Sequence, residues 1–479
     1  MIPGFQKALE IFRSASERVP AYGMLLKHGG INPRAVRGIK DFKTLPIIEK
    51  KTYIYRYPLN DLFPERKIPS MGYASSGSSG KPTLWFLDDI QEQQGGDLHE
   101  RIFRDIFKIQ KKDTTLMIVC FAMGIWIAGI YTLASCRNVA RKGYALTTIT
   151  PGIEQKDILR ILKDLAPRFK HTIIAGYPPF LMNVFSEMKK KQIPAPKNIR
   201  VLTAGDKFSE TWRKDVATLL GMRTPDESII NIYGCADAGM LGFETPLSIF
   251  LRKKSESVPG LSRDLFGTVK NLPGIFQYNP NHVFFEEHEQ ELLLTVSTSA
   301  PLVRYNIHDI GNVFPHKTMR TFLKTHALEK ETEAHGLSQW TWPFVTVKGR
   351  TDVAVTFYAL NIYPEHIKQG LEDARISRFL SGNYFAHNQT TNHSKTQTLH
   401  IDVELAPGVR PTKTISQNVR TAVSECLLRV NMEFHKLHSI LGGKALPLIA
   451  LKQYGETNFH NSDSKGILNI QGKKPKMSS

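Results

Sequence analysis

The chain has 479 residues, 41% hydrophobic and 22% charged, which exceeds one ordinary domain and excludes a largely disordered or low-complexity protein. Its formal net charge of +19 calls for anionic partners, with nucleotides, nucleic acid, lipid headgroups and acidic proteins all qualifying. Four widely spaced cysteines, Cys120, Cys136, Cys235 and Cys426, form no CxxC pair; this argues against a disulfide framework or structural zinc and for a reducing cytoplasm.

The N-terminal MIPGFQKALEIFRSASERV distributes its charges on an amphipathic pattern and lacks the charged tip and apolar run of a signal peptide. The stretch Thr114–Cys136 carries no charge and is long enough to cross a bilayer. Its first half, LMIVCFA, has the composition of a buried parallel strand, and Gly124 and Gly129 mark a turn into a helix, so a buried strand-turn-helix is the preferred reading. Apolar runs then alternate with helical segments: DILRILKDLAPRF, HTIIAGYPP, PFLMNVFSEMKKK, NIRVLTAG, SETWRKDVATLLG and SIINIYG predict an α/β fold with a mostly parallel sheet covered by helices. Ligands of such sheets bind beyond the carboxyl ends of strands, where the Gly and Pro punctuation falls. After about residue 280, VFFEE, QELLLTVST and PLVRYNIHDIGNVF read as antiparallel strands. Residues 316–343 read as an insertion or mobile loop with one short helix. A boundary is expected near Lys348, followed by a compact α+β module; no internal repeat is evident.

The segment Tyr73–Thr83, YASSGSSGKPT, is the most informative. Small residues let backbone N–H groups and the hydroxyls of Ser75, Ser76, Ser78 and Ser79 wrap phosphate oxygens around Gly77 and Gly80, and Lys81 adds positive charge. It is not a Walker A loop, because two residues separate the glycines and Pro82 follows the lysine. A flexible Gly/Ser linker is the competing reading.

This segment resembles the phosphate loop of the adenylate-forming superfamily of acyl- and aryl-CoA ligases, most closely its phenylacetate-CoA ligase-like branch. Further segments are similar to that family's motifs in the same order: GYPPFL at 176–181, AGDKF at 204–208, IYGCAD at 232–237, RYNIHDIG at 304–311, GRTDVAVTFYALNIYP at 349–364 and NSDSKGILN at 461–469. The resemblance implies that Gly205 and Asp206 lie near adenine, that Tyr233 stacks on it with Gly234 allowing a close turn, and that Asp237 holds Mg²⁺ in place of the usual Glu. It implies that Asp309 binds both ribose hydroxyls, that Arg350 contacts ribose or phosphate, and that Asp352 is an interdomain pivot. Lys465, with Lys473 as competitor, would reach the reacting carboxylate and α-phosphate. Phe121, Trp126, Tyr177 and Phe180 would wall an apolar acyl pocket. The chain departs from the family where Thr-Gly becomes Ile307-His308 and where Arg-Gly becomes Tyr358-Ala359; His308 reads as structural more readily than catalytic.

The implied fold is a large N-terminal domain, residues 1–348, of mostly parallel sheets with a small β-barrel-like part, and a small mobile C-terminal α+β domain, residues 349–479. The implied activity is ATP- and Mg²⁺-dependent conversion of an aromatic or hydrophobic carboxylic acid to an acyl-adenylate, then transfer to CoA. Transfer to an amine or a carrier-protein thiol, or nucleotide binding without turnover, are the alternatives. No nucleic-acid-reading motif accompanies the charge, no membrane span is expected, and a homodimer stays open.

Overall fold

A computed structural model describes residues 2–75, 83–267, 272–350, 355–358, 360–390 and 397–456. Its contacts divide the chain into two compact units, Met1–Ser75 with Leu84–Thr351, and Ser76–Thr83 with Asp352–Ser479.

Strands β1 (Met71–Ser75) and β2 (Thr83–Leu87), in the first unit but for Thr83, form a two-stranded sheet. Strands β3 (Thr115–Cys120), β4 (Leu146–Ile149), β5 (His171–Gly176), β6 (Ile199–Ala204) and β7 (Ile229–Cys235) are parallel, in the order β4-β3-β5-β6-β7. All six residues of β3 are buried, with Met117 and Val119 in one core layer and Leu116, Ile118 and Cys120 in the other. A strand covered on both faces has no reason to alternate apolar with polar, which is why LMIVC is continuously apolar. The uncharged stretch at 114–136 therefore resolves into β3 and part of the helix Ile127–Arg141, and no helix among the described residues is long and apolar enough to cross a membrane.

The sheet continues through antiparallel strands, β8 (Gly239–Phe243), β9 (Gly274–Gln277), β10 (Val283–His288), β11 (Glu291–Val296), β12 (Leu302–Phe314) and β13 (Phe344–Arg350), to eleven strands in the order β10-β11-β12-β13-β9-β8-β7-β6-β5-β3-β4. Residues 316–343 differ from expectation. They form helices His316–Thr325 and Glu329–Ala334 and bury Met319, Leu323, Leu328, Leu337 and Trp340 in the core. Met319 and Leu323 stand four residues apart on one helical face, an apolar stripe too short to stand out from the polar surroundings.

The second unit has a hairpin of β14 (Val355–Phe357) and β15 (Leu360–Ile362), and a three-stranded sheet of β16 (Leu380–Thr390), β17 (Gln397–Leu405) and β18 (Leu448–Lys452). Leu399, Ile401, Val403 and Leu405 of β17 are fully buried, and the helix Lys413–Val430 packs on the helix Pro364–Leu371, where Gly370 admits the backbone of Val423. The division falls after Thr351, so Arg350 belongs to the first unit.

Candidate functional site

The register Cys120–Gly176, Gly176–Thr203 and Ala204–Ile232 aligns the carboxyl ends of β3, β5, β6 and β7. Phe121, Tyr177, Gly205, Asp206 and Tyr233 thereby follow one another along a single sheet edge, the edge at which α/β sheets bind ligands.

At one end of that edge three strands converge. Tyr233 on β7 is buried, its ring stacked on Phe276 at 5.4 Å, and its hydroxyl donates to Asp309 Oδ2 at 2.5 Å. Burial, then the neighbouring Asp309 carboxylate, hold the phenol pKa far above its ordinary value, so it serves as a proton donor in this bond. Asp309 on β12 lies opposite Arg350 on β13, whose Nη1 stands 3.8 Å from Asp309 Oδ1. Tyr233 thereby fixes the Asp309 carboxylate.

A second carboxylate lies beside this cluster. Gly234 lets β7 and β8 approach closely, since a Cβ there would sit 2.6 Å from the Gly239 carbonyl oxygen, and the turn presents Asp237. Asp237 is buried; Oδ2 accepts from the Tyr305 hydroxyl at 2.6 Å and Oδ1 is 3.1 Å from Lys50 Nζ. Lys50 also lies 5.9 Å from the Trp85 ring centroid. Sequence reasoning missed Lys50, because nothing local distinguishes it from Lys51. It is delivered by tertiary contacts: Arg304 Nη1 donates to the carbonyls of Lys43, at 2.7 Å, and Leu45, and Ile48 bridges to Tyr305.

Ser75 ends β1 buried, and its hydroxyl has no partner among the described residues; the adjacent Ala74 bridges to Trp126 and its N–H donates to the Ile125 carbonyl. A buried hydroxyl without a partner marks a place that a ligand's acceptor would satisfy. Ser76, Gly77, Ser78, Ser79, Gly80, Lys81, Asp352, Lys465 and Lys473 lie outside the described residues. Gly205 takes a positive φ of 91° at the end of β6. Asp206 beside it is partly buried, which pushes its carboxyl pKa up to about 6, while its backbone oxygen accepts from Asn231 Nδ2 at 3.1 Å. Under this turn runs a buried ionic network. Arg213 Nη2 reaches both oxygens of Glu244 at 3.0 and 2.9 Å, Arg213 and Arg252 share Glu210, and Arg252 donates to the Phe208 carbonyl.

Of the proposed acyl-pocket residues, Phe121 packs in the first core layer, whereas Phe180, in the helix Pro178–Lys190, packs against the second. The sheet separates these two rings, so Phe180 does not share a wall with Phe121. His308 has φ 63° and its Nδ1 lies 3.3 Å from Glu291 Oε1, a structural setting.

The described residues contain no cluster of three or more His, Cys, Asp or Glu arranged to hold a metal ion. A single carboxylate, Asp237, fits Mg²⁺, an ion commonly held by one or two protein carboxylates together with substrate phosphates.

No family model matches the chain. It is 21% identical over 364 residues to a phenylacetate-coenzyme A ligase of Aromatoleum evansii, covering 74% of this chain and 72% of that protein. It is 22% identical to the phenylacetate-coenzyme A ligase of Thermus thermophilus, over 46% of each chain. In fold it is similar to 2-hydroxyisobutyryl-CoA ligase in complex with 2-HIB-AMP and CoA, with a TM-score of 0.63 and 13% identity over 97% of this chain and 88% of that one. In sequence the chain is thus similar to phenylacetate-coenzyme A ligases, and in fold to an acyl-CoA ligase.

Proposed function

We propose that the chain uses ATP to convert a carboxylic acid into an acyl-adenylate and then transfers the acyl group to CoA. The observation that carries the reading is the pairing of Asp309, held by Tyr233 and faced by Arg350, with Asp237, held by Tyr305 and Lys50, at the carboxyl edge of the sheet.

A carboxylate is a poor acyl donor because oxide would have to leave. Its attack on the α-phosphate forms a C–O–P linkage and expels pyrophosphate, after which AMP is a competent leaving group for the thiol. Two anions must meet, so positive charge and positioning are what the protein supplies; a general base is unnecessary for an acid already ionised near neutrality. Asp309 accepts the ribose hydroxyls, Arg350 neutralises phosphate beside them, and Lys50 brings an ammonium to the polyphosphate side. Ser75, with the Ser76–Lys81 segment, supplies donors to phosphate oxygens. Mg²⁺, when bound at Asp237, neutralises phosphate charge. Lys465 is the proposed adenylation lysine, and Asp352 the proposed pivot between half-reactions. Phe121, Trp126 and Tyr177 favour an aromatic or medium hydrophobic acid.

A second reading, acyl transfer to an amine or carrier-protein thiol, is favoured by one observation. Tyr358, standing where the family has Arg, takes φ 48° and is fastened to Gln397 at both its N–H, 2.6 Å, and its hydroxyl, 3.1 Å. The test is acid-dependent ATP–pyrophosphate exchange across a panel of carboxylic acids, followed by CoA, amines or carrier protein as acceptor. Thioester formation with CoA is expected; absence of exchange with every acid sinks the catalytic reading. A cytoplasmic location belongs to the same proposal.

A further inference from the structure

We infer that the first unit carries a second ligand site, for an apolar monocarboxylate, in the groove between β1 and the helices Asp89–Arg101 and Ile127–Arg141. The two helices run side by side in the same direction. A Cβ added to Gly95 would meet Tyr131 and Ser135, one added to Gly96 would meet Asn138, and Lys142 reaches Asp97 and Glu100. Alongside this seam lies a cavity of about 210 Å³. Its floor is apolar, made by Met71, Ile130, Leu133 and Ala134, with Met71 exposed to solvent.

Arg137 and Arg141 follow Leu133 at successive four-residue steps, one and two turns farther along the same helical face, and line the same cavity. Neither side chain has a hydrogen-bond or ion-pair partner among the described residues, whereas neighbouring Lys142 is paired twice. Two unpaired guanidiniums in reach of one anion form a carboxylate-binding pair. Glu92, the remaining charged lining residue, stands near the other end, since the helical register sets Gln91 beside Tyr131. The groove is thus polar at both ends with opposite signs: it attracts one carboxylate to the arginines and repels a second from Glu92.

Length and volume narrow the class further. From Ile130 to Arg137 the helix rises about 10 Å, and a cavity of roughly 150 Å³ is enough for benzene, so this one takes a single ring or a medium acyl chain. The arginine end is set apart from the proposed catalytic site, since Arg137 lies eleven residues, about 16 Å of helix, beyond Trp126, whereas Ile130 at the other end lies about 6 Å of helix from it. It stands or falls without the catalytic reading.

The test is calorimetric titration of the full chain with octanoate, octanol and octanedioate. Octanoate is expected to show a binding component that Arg137→Gln/Arg141→Gln weakens at least tenfold and that Ala134→Leu, which fills the floor with both arginines intact, also removes, while AMP affinity and Tm stay at wild-type values. Octanol and octanedioate are expected to bind that component at least tenfold more weakly. Octanoate binding unchanged in both variants, or octanol or octanedioate binding the component as well as octanoate, would overturn the inference.

Discussion

Tyr233→Phe isolates the bond on which the nucleoside end of the proposed site depends. The substitution removes one oxygen and keeps the ring, so the stack on Phe276 and the packing around it survive. What is lost is a 2.5 Å hydrogen bond from a phenol to a buried carboxylate, and hydrogen bonds to charged groups contribute about 1.5–3 kcal/mol. Arg350, 3.8 Å away and partly exposed, offsets little of that loss. Urea unfolding should therefore show a loss within that range. If Asp309 must also be held still to receive the ribose, the same loss reappears in binding, where each 1.4 kcal/mol is tenfold, giving roughly 10- to 100-fold weaker ATP. The double variant with Asp309→Asn supplies the internal control, because the Tyr233→Phe penalty should shrink once its acceptor is no longer charged. The reasoning fails if Tyr233→Phe leaves stability within about 0.5 kcal/mol, below the ordinary cost of a lost charged hydrogen bond, and ATP affinity unchanged by calorimetry.

Three further perturbations probe neighbouring groups. Lys50→Met keeps the aliphatic stem beside Trp85 and removes the ammonium 3.1 Å from Asp237; acid-dependent pyrophosphate exchange should fall by about 10²-fold, and wild-type exchange would remove Lys50 from the site. Burial raises the Asp206 carboxyl pKa to about 6, so the folded chain binds this proton more tightly than the unfolded one, and stability from this group falls as pH rises from about 4 to 6. Asp206→Asn should accordingly stabilise the protein at pH 7.5, by less than about 3 kcal/mol given its partial exposure, and have little effect at pH 4; thermal melts at the two pH values decide. Arg213→Met leaves Glu244 and Glu210 buried with one cation fewer and should cost about 3–5 kcal/mol in urea unfolding, much of it recovered by adding Glu244→Gln.

Four of the five parallel strands were legible because burial on both faces writes itself into composition: LMIVC, HTIIAG, IRVLTA and IINIYG need no tertiary information to be read as strands, whereas the edge strand β4, LTTI, with no fully buried residue, was not read. Tyr233, Asp237, Asp309 and Arg350 were legible as candidates because their motifs are short and continuous. Their mutual bonds were not, since 76 residues separate Tyr233 from Asp309 and only the sheet order joins them. Lys50 was invisible for the same reason: its partner is Asp237, and the bonds that deliver it come from Arg304. Phe180 shows the converse error. A Pro-rich turn after a strand was read as pocket wall, but once Pro178 starts a helix, helical geometry turns Phe180 toward the second core layer.

Strand β12 explains how one short segment organises both carboxylates. In an extended strand alternate residues face opposite sides, and Tyr305 and Asp309 reach the site while Arg304 and His308 bind elsewhere. Arg304 holds Glu286 and the carbonyls of Lys43 and Leu45, and His308 meets Glu291. Arg304 and His308 both have positive φ, 50° and 63°, and the pairing of β11 with β12 is irregular along this stretch. Left-handed backbone costs a residue bearing a Cβ about 1–2 kcal/mol, which accounts for glycine in the family motif at the position His308 occupies. Here the histidine keeps that conformation and gains partners in return: its N–H donates to Asn306 Oδ1, its ring faces Glu291, and Asn306 Nδ2 donates to the same Glu291 at 2.6 Å. The departure from the motif thus preserves the backbone path that brings Asp309 to Tyr233, and the imidazole stands between Glu291, 3.3 Å from Nδ1, and Glu49, 3.9 Å from Nε2.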